Sequence, residues 1–173
     1  MPDEPAGFRD FVDAHRRDLL RAAWLLTGDW QRAEDLVQTA LAKTWPNWTR
    51  LRASGDDHLD AYVRRVLYTT YATWWRRRWR DEVPTSTLPD RSADGGSAAY
   101  DAADGRAALW PLVRGLPPRQ RAVIVLRYFE DQSEAATAAA LGCSIGTVKS
   151  QTSKALAHLR LTVDEPQPVR EAT

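Results

Sequence analysis

Apolar residues recur at three- and four-residue spacing along most of this chain, a period that predicts helices rather than strands. Phe8, Phe11, Val12, His15, Leu19, Ala22, Ala23 and Leu26 share one face of a first helix. Thr27-Gly28-Asp29 stops it, and Asp29 suits the next N-cap because its carboxylate accepts from unpaired backbone N–H groups. The second helix turns Ala33, Leu36, Val37, Ala40, Leu41, Thr44 and Trp45 inward until Pro46 ends or bends it. The polar stretch from Asn47 to Asp57 reads as a loop.

A third helix is expected from about His58 to Arg80. Its apolar stripe is Leu59, Tyr62, Val63, Val66, Leu67, Thr70 and Trp74. At 100° per residue the opposite side holds Arg64, Arg65, Tyr68, Thr69, Trp75, Arg76 and Trp79, so arginines and aromatics share the face turned from the core. Exposed aromatic rings stack on bases while guanidiniums hold phosphates, which suits partly single-stranded DNA. The plainer alternative is that Trp75 and Trp79 pack on arginine stems or a neighbouring helix.

From Pro84 to Arg106 the period is lost and Pro, Gly, Ser, Ala and Asp dominate, the composition of a flexible tether. Helical spacing returns after it. Pro111 kinks a short helix between Asp104 and Val113 or shifts its start, and Pro118 opens another whose stripe is Ala122, Val125, Leu126 and Phe129. Ser133 then caps an alanine-rich helix closed by Leu141. Gly142-Cys143-Ser144 makes a turn in which Gly142 is free to go left-handed. The last helix starts near Ile145, turning Val148, Thr152, Ala155, Leu156 and Leu159 inward. Its outward side, Thr147, Lys149, Ser150, Gln151, Ser153 and Lys154, has no acid. Hydroxyls and amides there reach base edges and lysines reach phosphates, as a helix-turn-helix recognition helix requires.

Composition narrows the chemistry. The single cysteine, Cys143, excludes an internal disulfide and a cysteine-cluster zinc site, and the three histidines are scattered. No nucleophile–base pair or glycine-rich phosphate loop stands out, so no catalytic residue, metal or cofactor is expected. Glu34 and Asp35 are adjacent on a helix and diverge by 100°, so they cannot serve as a convergent acid pair. No run approaches membrane-spanning length and residues 1–10 lack an apolar signal core, pointing to a cytoplasmic protein. The net charge of +1 conceals segregation, because residues 61–80 hold six arginines and no acid. Such local charge density favours a polyanion.

Three strings resemble, in order, the extracytoplasmic-function (ECF) group of bacterial sigma factors, in its SigE-like branch. They are AEDLVQTALAKTW (33–45), AYVRRVLYTTYATWWRRRWRDEV (61–83) and LPPRQRAVIVLRYFEDQSEAATAAALGCSIGTVKSQTSKALAHLR (116–160). The resemblance implies an all-α protein of two small helical domains. Residues 1–83 would bind core RNA polymerase at the β′ clamp helices and open the −10 element, and residues 84–106 would be a flexible linker. Residues 107–163 would form a helix-turn-helix (winged-helix-like) domain that binds the −35 element and touches the β flap, leaving 164–173 as a disordered tail.

By the same resemblance, Asp35, Gln38 and Thr39 contact polymerase, with Thr39 standing where many relatives have Glu. The stretch 48–57 corresponds to a pocket for a flipped −10 base. Arg64, Arg65, Thr69, Trp75, Arg76, Arg77 and Arg78 face the −10 strand, with Thr69 where many relatives have Asn; a hydroxyl makes fewer simultaneous bonds than an amide. Thr147, Lys149, Ser150, Gln151, Ser153 and Lys154 face the −35 duplex, where lysine lacks the bidentate fork of arginine. Promoter DNA, core polymerase and an anti-sigma factor are the implied partners. A stand-alone helix-turn-helix regulator is the competing reading, and it leaves the first half of the chain unused.

Overall fold

The computed structural model describes residues 4–81 and 109–164, with side chains for 4–77 and 109–162. The linker expected at 84–106 and the tail beyond Asp164 lie outside the described residues, as do the side chains of Arg78 and Trp79. Among the described residues every regular element is helical.

The first half packs α1 (Phe8–Thr27), α2 (Trp30–Thr44) and α4 (Asp56–Asp81) around one core, with α2 lying against both of the others. Phe11, Leu19, Leu26, Leu36, Leu59, Val63 and Leu67 fill it. The punctuation follows the local chemistry. Gly28 closes α1 at φ 70°, a left-handed conformation that costs a residue with a Cβ, and its N–H donates to Trp24 O. The Asp29 carboxylate then accepts from Arg32 N at 2.8 Å and starts α2.

The expected loop at 47–57 is instead mostly helical. A 3-10 turn (Trp45–Asn47) leads into α3 (Trp48–Ala53). Helix α2 ends at Thr44, as Pro46 led one to expect, and Pro46 lies in the first turn of the 3-10 segment, where its missing N–H costs no hydrogen bond. Trp48 drives the correction. Its ring is 1% exposed, sits edge-on to Phe8 and Phe11, and donates Nε1–H to Ala6 O at 3.3 Å.

The second half begins at α5 (Trp110–Arg114), where Pro111 lies in the first turn, so its effect is to set the start and not to kink. Helix α6 (Pro118–Ile124) runs into a π turn (Val125–Phe129). The helix-turn-helix follows as α7 (Glu134–Leu141) and α8 (Ile145–Asp164). Ser133 Oγ accepts from Ala136 N at 3.0 Å to cap α7, and Gly142 turns at φ 66°. Val148 and Ala155, both fully buried, anchor α8 against α6 and α7.

The halves pack on one another. Helix α1 meets α6 and the π turn, and α4 meets α7. This explains burial outside the predicted stripes: Leu20, Trp24 and Leu25 on α1, and Tyr68, Tyr71 and Ala72 on α4, are all covered. Trp24 and Trp110 bring their ring centroids to 4.5 Å, a pair contributing about 0.5–1.5 kcal/mol beyond its area. Against this, Trp110 Nε1 is buried without a hydrogen-bond partner among the described residues, which costs about 1–3 kcal/mol.

Candidate nucleic-acid interface

Two basic surfaces carry the chemistry, one on α8 and one on α4. On α8, burial of Val148 and Ala155 fixes the rotation of the helix and leaves Lys149, Ser150, Ser153 and Lys154 exposed. Thr147 and Gln151 are half-buried at the margin of this face. Thr147 and Ser144 serve the helix itself: Ser144 Oγ accepts from Thr147 N at 3.1 Å and shares a hydroxyl bond of 2.9 Å with its side chain. Ser150 Oγ lies 3.3 Å from Thr147 O. Lys149 approaches Glu134 at 3.8 Å, but both side chains remain open to water, and such a pair contributes at most about 1 kcal/mol. The outward face of α8 is thus available to a polyanion.

Helix α4, about 39 Å long at 1.5 Å per residue, is less uniform. Arg65, Arg76 and Arg77 are exposed, and Trp75 is half-buried. Thr69 is half-buried, with its hydroxyl donating to Arg65 O at 3.0 Å and Val66 O at 3.1 Å. Arg76 curls back, Nε to Ala72 O at 3.3 Å, and its guanidinium lies over the helix-turn-helix turn: a Cβ on Gly142 would fall 2.6 Å from Nη1.

The expectation of an outward Arg64–Tyr68 face needs correcting. Tyr68 is 2% exposed. Arg64 donates Nε–H to Asp60 at 2.9 Å and Nη1–H to Glu130 at 2.8 Å, and the Tyr68 hydroxyl donates to the same Glu130 oxygen. Burial, then the charge of Glu130, holds the Tyr68 phenol well above its ordinary value. For Arg64 burial opposes the charge, but the Asp60 hydrogen bond and the Glu130 and Asp60 charges outweigh it, so the guanidinium stays firmly protonated. Glu130 is 66 positions from Arg64 and belongs to the other half, which local periodicity cannot report.

On α2, Asp35 and Gln38 are exposed, one turn apart. Thr39 is half-buried and returns its hydroxyl to Asp35 O at 2.7 Å. Among the described residues no group of His, Cys, Asp and Glu is arranged to hold a metal ion. No described helix is long and apolar enough to cross a membrane. Cys143, in the turn before α8, has its thiol pushed up by burial, partly offset by Arg119.

These surfaces fall within two matched families. Residues 11–81 match the family described as Sigma-70 region 2, and residues 106–159 match Sigma-70, region 4. The RNA polymerase sigma-E factor of Streptomyces avermitilis is 46% identical over 154 residues, spanning 88% of this chain and 83% of that relative. The chain belongs to the ECF group of the sigma-70 family. It is a sigma factor for promoter-specific transcription initiation.

More distant sigma factors share its layout. The ECF RNA polymerase sigma factor SigL of Mycobacterium tuberculosis is 35% identical over 94% of this chain and 92% of its own. Among solved structures, the sigma factor RpoE in complex with the anti-sigma factor NepR from Bartonella quintana matches with a TM-score of 0.59 at 25% identity. That match covers 93% of this sigma factor and all of that chain. The α4 surface lies in the region 2 match, and α7, its turn and α8 lie in the region 4 match.

Proposed function

We propose that this sigma factor grips a promoter with α8 on the −35 duplex and α4 on the −10 strand, while α2 holds core polymerase. The observation that carries the reading is the exposed, acid-free side of α8, where Lys149, Ser150, Ser153 and Lys154 surround the buried anchors Val148 and Ala155. A side chain on a helix of that rotation reaches base edges or phosphates in a major groove. Thr147 and Gln151 flank it. On α4, Arg65, Arg76, Arg77 and, by position, Arg78 hold backbone phosphates, Trp75 offers a ring edge, and Thr69 faces the strand. Arg64 joins them when Glu130 releases it.

Asp35, Gln38 and Thr39 dock on the β′ clamp helices. An apolar hollow of about 400 Å³, lined by Leu112, Ile124, Tyr128, Leu156 and Leu159 among others, suits an apolar helix of the β flap. Residues 1–83 and 107–163 act as the two working domains, 84–106 as their tether and 164–173 as a tail. The chain carries no reaction of its own and works in the cytoplasm, where polymerase performs the chemistry. The complex formed by RpoE and NepR supports an anti-sigma protein as a further partner here.

The test is reconstitution. Wild-type protein with core polymerase should give run-off transcripts from promoters selected out of a genomic library. Asp35→Ala with Gln38→Ala should lose core binding in a pull-down while its circular dichroism is unchanged. Undiminished core retention by that variant overturns the α2 assignment.

A further inference from the structure

The Arg64–Tyr68–Glu130 cluster has the chemistry of an anion site already filled by the chain itself. An arginine N–H and a tyrosine O–H converge on one carboxylate oxygen. The side chains are little exposed, 22% for Arg64 and 12% for Glu130, so water screens them weakly. The backbone is shaped to deliver Glu130. The π turn Val125–Phe129 ends one residue before it, and Asp131 follows at φ 49°, left-handed for a residue with a Cβ. Extra-residue turns of this kind re-aim a side chain at a local cost in helix hydrogen bonding. A polar hollow of about 270 Å³ beside the cluster, bordered by Asp18, Arg21 and Asp131, separates the two halves at this point. Eight residues further along α4, closure also lays Arg76 on Gly142.

We propose that Glu130 is an acidic latch, occupying in the free chain the Arg64–Tyr68 donors that a phosphate of the −10 strand takes once the halves separate. A carboxylate and a phosphodiester both present anionic oxygens to these donors, so the two compete for one site. The latch rests on the assignment of α4 to the −10 strand. It acts on one surface only, since closure covers Arg64 and engages Arg76 but leaves Lys149, Ser150, Ser153 and Lys154 in water. The free sigma factor therefore keeps its −35 face open and the Arg64–Tyr68 part of its −10 face occupied, while Arg65 and Arg77 remain in water.

The experiment uses the full chain with Cys143→Ser and dyes at the exposed positions of Ala42→Cys and Ala157→Cys, read by energy transfer. Glu130→Gln removes the charge with almost no change of shape, and Glu130→Arg sets like charges against one another. Circular dichroism confirms that both retain their helices. Energy transfer should fall in both, and affinity for a mixed-sequence single strand of about 12 nucleotides should rise about tenfold or more, while affinity for a mixed-sequence duplex changes less than about twofold. Unchanged energy transfer in both variants overturns the latch. Reduced transfer with strand affinity still at the wild-type value overturns the competition. Absence of strand binding by any of these proteins, even in holoenzyme, instead overturns the assignment of α4.

Discussion

Helix α8 anchors itself through Val148 and Ala155 and leaves its lysines and serines in water, whereas α4 is covered along both flanks. One flank of α4 belongs to the core it shares with α1 and α2, and the other meets α7 and Glu130. In the reading proposed above, the helix assigned to duplex DNA is thus presented ready, whereas the helix assigned to a melted strand has its Arg64–Tyr68 segment covered by the other half of the chain. Duplex binding needs only groove-matched side chains on a fixed scaffold. Strand capture needs donors that stay occupied until bases are available, since unpaired donors in a half-buried site are costly.

The two halves also differ in what holds them, and substitutions separate the contributions. Trp48→Ala removes a ring buried among Phe8 and Phe11 and should cost the first half about 3–5 kcal/mol, seen as a lower urea midpoint. Lys149→Ala with Lys154→Ala should leave stability alone, yet weaken promoter binding by about ten- to a hundredfold and flatten its salt dependence by about 2 in the logarithmic slope. An unchanged slope would mean that neither lysine meets phosphate. Ser133→Ala deletes the cap on α7 and should cost about 1 kcal/mol, read by thermal melting of the second half. The smallest effect concerns Cys143. Because burial raises its thiol, less thiolate exists at pH 8 than in the unfolded chain, and alkylation should run more slowly before denaturation than after.

What the sequence revealed follows the range of the forces involved. Asp29, Ser133, Gly28 and Gly142 act within three or four residues, and each sits where local chemistry placed it. Helix period likewise identified Phe11, Leu19, Leu36, Val63, Leu67, Val148 and Ala155 as core, because one face must be buried whatever covers it. The stretch after Pro46 misled for a local reason. Its polar composition resembles a loop, while the one residue that organises it, Trp48, finds its partners on α1, about forty positions away. Tyr68 and Arg64 misled for the same reason at longer range, since their partner Glu130 lies more than sixty positions away in the second half. The candidate site was legible where it faces water, on α8, and illegible where the chain folds back on it.

The division of labour between the two helices is tested most directly by following one promoter with holoenzyme carrying either of two paired substitutions. Footprinting reports occupancy, and permanganate reactivity reports melting at the −10 region. Lys149→Ala with Lys154→Ala should lose occupancy, and with it all melting. Arg76→Ala with Arg77→Ala should keep most occupancy at saturating holoenzyme and lose permanganate reactivity. Loss of the same step by both pairs, or normal permanganate reactivity in the arginine pair, would contradict the account.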